Sequence, residues 1–125
     1  MKSKYFLIPV LLLSLLSAYS FMPGQAAANE KNDRIEVLFT RNMSFNDIVK
    51  VKLDMAERGI TLNYKLLRFD DEGRLMSISY EVDCHDGFKG SAVNHRIGYN
   101  DRFGFYRDYR SESSSPFGTG WLTEE

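Results

Sequence analysis

The sequence predicts an α+β domain with the order β-α-β-β(-β), in which one helix packs on a small, mostly antiparallel sheet. Residues 34–40 alternate between apolar and polar side chains, and residues 45–58 carry apolar side chains at helical spacing. Residues 61–69 and 74–83 are two extended segments joined by a turn that contains Gly73. We therefore expect a helix after the first strand and a β-hairpin after the helix.

The predicted helix has clear start and end signals. Ser44 is a favourable N-cap residue, and Asp47 lies three positions later, where it can complete a capping box. Gly59 is expected to end the helix in the left-handed conformation. The apolar residues gather on one broad face of the helix, and they are Phe45, Ile48, Val49, Val51, Leu53, Met55 and Ala56. Lys52 lies inside this arc, and we interpret it as a stem that follows the edge of the core with its ammonium group in water.

The second strand has an apolar component on both of its faces. Strict alternation places Leu62, Tyr64 and Leu66 on one face. Leu67 and Phe69 then lie on the other face. Because one helix covers only one face of a small sheet, we expect Leu67 and Phe69 to lie on or near an uncovered face.

The character of the sequence changes near its C-terminus. Residues 91–97 are a weaker strand candidate that completes a predicted domain at residues 34–98, and residues 99–125 are predicted to be an aromatic and Ser-rich tail. The aromatic side chains of this tail either pack on the open sheet face or form a surface for a partner. The candidate binding residues on these two surfaces are Leu67, Phe69, Phe103, Phe105, Tyr106 and Tyr109.

The N-terminus has the pattern of a secretory signal peptide over residues 1–28. Lys2 and Lys4 precede a nearly unbroken apolar run, and small residues lead to a cleavage site between Ala28 and Asn29. The alternative is an uncleaved anchor, because the apolar run is nearly long enough to span a bilayer. We expect cleavage, and therefore export to a periplasm or secretion.

Composition and charge exclude several classes of partner. Of 125 residues, 43% are hydrophobic and 26% charged, which is typical of a globular domain. The formal net charge is −1, and it becomes −3 once Lys2 and Lys4 leave with the signal peptide. A weakly acidic domain lacks the positive surface that would attract nucleic acids or anionic membranes. We expect no nucleic-acid partner, no cofactor, and membrane contact only through an uncleaved signal segment.

One cluster holds the side-chain types that bind metals or act as nucleophiles. Cys84 and His85 are adjacent, and His95 lies ten residues further on. Together they are a candidate zinc site, although neighbouring residues on a strand point to opposite faces. A pairing of Cys84 with either histidine as nucleophile and base lacks a third, orienting group. The only cysteine of the chain is therefore expected to be either buried and inert or a site of intermolecular pairing.

Several short motifs between residues 35 and 90 resemble those of a known family. They are residues 35–42, residues 58–64, Arg68, residues 72–75, Ile78 and Asp86-Gly87. In these motifs the chain resembles the small periplasmic C-terminal domain of antirepressor-type membrane zinc metallopeptidases, which are relatives of the β-lactam sensors, and short secreted proteins of unassigned function. The His-Glu-x-x-His motif of the peptidase is absent. The resemblance therefore implies an accessory or sensing module without catalytic residues.

These observations favour a non-enzymatic, exported module that binds a protein or peptide through its open sheet face, a sheet edge and the aromatic tail. Homodimerisation through the same surface is its simplest version. One alternative is a small metal-binding protein that uses Cys84, His85 and His95. Another is an inhibitory module for a periplasmic peptidase, which only the family resemblance suggests.

Overall fold

The computed structural model describes residues 33–123, so the predicted signal peptide and its cleavage site lie outside the described residues. The elements are β1 (Arg34–Leu38), α1 (Phe45–Glu57), β2 (Thr61–Phe69), β3 (Leu75–Asp83), β4 (Lys89–Asn94), β5 (Phe103–Asp108) and β6 (Phe117–Trp121). The predicted α+β class and the order of the first five elements are confirmed.

The strands form two antiparallel sheets of three strands each, rather than the single sheet that the sequence predicts. One sheet has the order β1-β5-β6, and the other has the order β2-β3-β4. β5 is the middle strand of its sheet, and it pairs with β1 from Arg34↔Asp108 to Leu38↔Gly104. The predicted domain boundary at residue 98 is therefore wrong, because residues 103–121 complete the sheet that the first strand begins.

The two sheets pack face to face around a cluster of aromatic side chains. Tyr80 of β3 lies at its centre, with its ring centroid 5.2 Å from that of Phe39 and about 6 Å from those of Phe103 and Phe105. Its hydroxyl donates a hydrogen bond to the backbone carbonyl of Gly104. Burial raises the pKa of Tyr80 to about 12, so the phenol stays neutral in the core.

Each side of the core is closed by a different element. On one side β6 runs alongside β4, where the hydroxyl of Thr119 donates to the carbonyl of Ser91 at 3.3 Å. On the other side α1 packs against β2, and the Tyr64 hydroxyl donates to the carbonyl of Ile48 at 2.7 Å. Ile48 and Met55 are the buried residues of the helix.

The predicted ends of the helix are confirmed in detail. The Ser44 hydroxyl accepts from the backbone N–H of Asp47, and the Asp47 carboxylate accepts from the backbone N–H of Ser44, which makes a capping box. Gly59 follows the C-cap with φ of +83°, and the N–H of Ile60 then donates to the carbonyl of Met55 at 2.9 Å. This hydrogen bond is the closing bond of a Schellman motif.

A β-bulge at Lys65 reverses the predicted faces of β2. Tyr64 pairs with Tyr80, but Leu66 pairs with Ser79, so the register shifts by one residue between them. After the bulge Leu66 is exposed on the outer face, whereas Leu67 and Phe69 pack against the core. The prediction that Leu67 and Phe69 lie on an uncovered face is therefore wrong, because strict alternation does not hold across a bulge.

Arg107 fastens the β3–β4 loop to β5. Its Nε and Nη2 donate to the Asp86 carboxylate at 3.0 and 2.8 Å, and its guanidinium lies between the rings of Phe88 and Tyr109, 4.5 and 4.4 Å from their centroids. Nη1 also donates to the carbonyl of Pro116 at 3.1 Å. The arginine and aromatic residues of the tail thus include a partly buried, structural ion pair.

Candidate functional site

The candidate binding residues of the C-terminal segment do not form an exposed surface. Phe103 and Phe105 are buried in the core, with 1% and 0% of their surface accessible. Tyr106 is half-buried and lies under the Arg34 guanidinium, 4.1 Å from its ring centroid. Tyr109 packs against the core beside Arg107. The expectation that Phe103 and Phe105 contact a partner is therefore wrong, because the pairing of β5 with β1 turns both rings inward.

The predicted metal ligands are not brought together. Cys84 and His85 follow Asp83, which pairs with Lys89 at one end of the β3–β4 hairpin. His95 follows Asn94 at the other end, so at about 3.3 Å per residue it lies more than about 15 Å away. Among residues 33–123, no three His, Cys, Asp or Glu side chains are grouped as metal ligands. The metal-site alternative is therefore wrong for these three residues.

Cys84 is a free thiol in a buried position. Its pKa is raised to about 11, mainly by burial and to a smaller extent by the carboxylates of Asp86 and Asp83, against the opposing effect of Arg107. A thiol with such a pKa is almost entirely protonated at neutral pH, and the thiol is not the nucleophilic form. Of the two expectations for Cys84, the structure favours the buried, inert thiol.

We expect Cys84 to react slowly with thiol reagents in the folded protein. At pH 8 the rise in pKa lowers the thiolate fraction about 100-fold, and burial slows access further. Labelling by iodoacetamide, followed by mass spectrometry, should therefore be at least about 100-fold slower in buffer than in urea. Equal rates in the two solvents, or a reducible dimer, would contradict the buried position.

One exposed apolar feature of the described residues is a stripe along α1, which we call the α1 stripe and define as Phe45, Val49 and Leu53. These side chains have 56%, 37% and 59% of their surface accessible. Their spacing of four residues places them on one side of the helix over three turns. The broad apolar arc of the helix is thus divided, since Ile48 and Met55 pack on the core and the α1 stripe faces solvent.

The α1 stripe has a polar border and one fixed end. Lys50 and Asp54 form an exposed ion pair at 2.8 Å beside it, and Lys52 is exposed as predicted. The ring of Phe45 meets that of Phe69 edge to face, with centroids 6.0 Å apart, so the first residue of the stripe is held against β2. An apolar centre with a charged rim is the usual composition of a protein-binding surface.

A second feature is a cavity of about 400 Å³ on the outer face of the β2-β3-β4 sheet, at the end nearest the β3–β4 loop. Its lining residues are Thr61, Asn63, Glu81, Val82, Asp83, His85, Lys89, Gly90 and Ser91. The Oγ1 of Thr61 and the Nε2 of His85 are 2.7 Å apart. The Nδ1 of His85 lies 3.8 Å from the Asp83 carboxylate, which also accepts from the His85 backbone N–H at 2.8 Å.

The sequence contains a signal for the α1 stripe but none for the cavity. The apolar arc of the helix is wider than one packed face requires, which indicates that part of it is exposed. The spacing of these residues alone does not separate the packed part of the arc from the exposed part. Thr61 is an ordinary strand residue in the sequence, and only the register of β2 against β3 brings it beside Asp83.

Comparison with known proteins identifies no relative of this chain. No protein family, no curated protein and no solved structure matches this chain. Within residues 33–123, no helix is long and apolar enough to span a membrane. The fold and its surfaces therefore define residues 33–123 only as a small α+β domain of two three-stranded sheets and one helix.

Proposed function

We propose that the protein is an exported module that binds another protein through the α1 stripe. The observation that carries the proposal is the exposure of Phe45, Val49 and Leu53 on three successive turns of one helix. Single apolar residues are common on protein surfaces, whereas a contiguous apolar stripe with a polar rim is typical of an interaction site. Export is supported by the sequence pattern of residues 1–28.

The partner that best fits this surface is a second copy of the chain. A two-fold axis beside Val49 would place two α1 helices antiparallel, so that Phe45 of each copy would meet Leu53 of the other. This arrangement places the smallest residue of the stripe on the axis and the larger residues on either side. It also opposes the two helix dipoles, and it is a closed, isologous contact of the commonest type.

Replacing Leu53 with glutamate is expected to abolish self-association without unfolding the chain. The side chain is 59% exposed, so the substitution removes an apolar contact in the dimer and costs little in the monomer. Sedimentation velocity over a range of concentrations should show a monomer–dimer equilibrium for the natural chain. For Leu53→Glu it should show monomer throughout, with an unchanged far-UV circular dichroism spectrum.

The matched control is Leu66→Glu, which adds the same charge at another exposed leucine, on the outer face of β2. This variant should self-associate as the natural chain does. If both variants dimerise equally, or if the natural chain is monomeric at every concentration, α1 is not a self-association surface and the proposal fails in this form.

A further inference from the structure

At a place separate from the α1 stripe, a hydroxyl lies beside an imidazole, and the imidazole lies beside a carboxylate. We propose that Thr61, His85 and Asp83 form a nucleophilic site in the cavity of the β2-β3-β4 sheet and that this site hydrolyses small uncharged acyl esters. This inference goes beyond the proposed binding function and does not depend on it. It rests on the geometry of the three side chains and on the cavity that they line.

The positions of the three groups are fixed by the sheet and by the loop that follows it. Thr61 and Asp83 are directly paired residues of β2 and β3, so their side chains lie next to each other on the outer face. His85 follows two residues later with φ of +59°, a left-handed conformation that few non-glycine residues adopt. The N–H of His85 donates to Asp83 at 2.8 Å, which holds this turn and places the imidazole beside Thr61.

The contacts of the imidazole assign its roles. Nδ1 lies 3.8 Å from the Asp83 carboxylate, and in the tautomer that carries the proton on Nδ1 the Nε2 atom accepts from the Thr61 hydroxyl at 2.7 Å. In this arrangement His85 is the general base and Thr61 the nucleophile. Asp83 is a positioning residue that stabilises the imidazolium when it forms, as in the hydroxyl–imidazole–carboxylate triads of hydrolases.

The cavity indicates the class of substrate. Its volume of about 400 Å³ lies within the range of small-molecule sites. Its charged lining residues are Glu81, Asp83 and Lys89, and Glu81 is also paired with Lys65 at 3.3 Å, so the cavity has no strong preference for either sign of charge. Asn63 and Lys89 also line the cavity and supply N–H donors for a developing oxyanion. A small, uncharged ester fits these constraints.

The reaction balances with water as the only other reactant. The Thr61 oxygen attacks the ester carbonyl carbon while its proton moves to Nε2 of His85. The carbon–oxygen bond to the alcohol then breaks, and His85 returns the proton to the leaving alkoxide. Water attacks the resulting acyl-Thr61 ester, again with His85 as base, which releases the carboxylic acid and restores the hydroxyl.

The test is hydrolysis of p-nitrophenyl acetate by the purified full chain, followed by the absorbance of p-nitrophenolate. Thr61→Val removes the hydroxyl while keeping the shape, and His85→Gln removes the base. Each should lower the rate about 100-fold, which is the lower end of the effect of general base catalysis. Thr61→Ser keeps a hydroxyl at this position and should therefore have a rate near that of the natural chain. This variant keeps the test decisive if Thr61→Val fails to fold.

The matched control is His95→Gln, which removes the other histidine at the far end of the β3–β4 hairpin. Its rate should equal that of the natural chain, because free imidazole alone hydrolyses this ester slowly. Mass spectrometry of acid-quenched samples should find an acetyl group on the peptide that contains Thr61. If the natural chain reacts no faster than imidazole at the same concentration, or if Thr61→Val retains the rate, the proposal is overturned.

The positioning role of Asp83 has its own measurement. Asp83→Asn should lower kcat and leave KM unchanged, and Asp83→Glu, which keeps a carboxylate next to the imidazole, should recover part of the rate. A purely structural role would lower the rate of both variants alike. That second outcome would remove Asp83 from the site.

Discussion

Phe105→Ala is expected to lower the free energy of unfolding by about 3–5 kcal/mol, the usual loss for a buried phenylalanine. The Phe105 ring is fully buried, and its centroid lies 5.8 Å from that of Tyr80 and 6.4 Å from that of Phe39. The substitution would leave a cavity between the two sheets that none of these rings can fill. Urea denaturation followed by far-UV circular dichroism measures the loss.

Tyr99→Ala is the control for Phe105→Ala. Both aromatic residues lie in the segment that the sequence presents as a tail, but Tyr99 is 52% exposed and contacts only the Arg74 guanidinium, 5.6 Å from its ring centroid, among the ring contacts found in residues 33–123. An exposed contact of this kind contributes about 0.5–1 kcal/mol. Equal, small losses for the two variants would mean that residues 99–121 are not part of the core.

Gly104→Ala is expected to destabilise the fold by about 3 kcal/mol or more, at or above the upper end of the usual cost of overpacking. A Cβ atom at residue 104 would lie 1.8 Å from the backbone carbonyl oxygen of Val37. A side chain can rotate away from such a contact, but this one is with the backbone of the neighbouring strand. The pairing of β1 with β5 would have to separate, and the chain is expected to unfold at a markedly lower temperature.

Gly90→Ala is the matched control, since it also adds one methyl group to a strand glycine. There the nearest atoms belong to the side chains of Thr119 and Phe117, at 3.1 and 3.3 Å. These side chains can move by a few tenths of an ångström, and alanine is the better strand residue by about 0.5–1 kcal/mol. A thermal melt should show little change for this variant. If Gly104→Ala has the same melting temperature as Gly90→Ala, β1 and β5 do not approach as closely as described.

Local patterns were sufficient for the elements in the first two thirds of the domain. Ser44 and Asp47 begin the helix and Gly59 ends it, because capping depends on hydrogen bonds between residues only a few positions apart. The turn before β3 was predicted for the same reason, and Gly73 has φ of +79° as a hairpin turn requires. None of these features depends on the rest of the chain.

The bulge at Lys65 shows where local patterns stop being sufficient. Alternation in the sequence assigns Leu66 to the core and Leu67 to the outside, and the structure has the reverse. Both assignments bury one leucine, so the sequence of β2 alone does not distinguish them. The choice is made by the residues of β3 with which β2 pairs.

The sequence by itself determined the α+β class, the helix and its caps, and the central hairpin, since all of these follow from short-range chemistry. The tertiary structure decided that residues 103–108 are the middle strand of a second sheet, that Phe103 and Phe105 are core, and that His95 is remote from Cys84. It also brought Thr61 beside His85. The physical reason is that the residues in contact are 24 to 74 positions apart, and strand register, which no local pattern encodes, determines which of them meet.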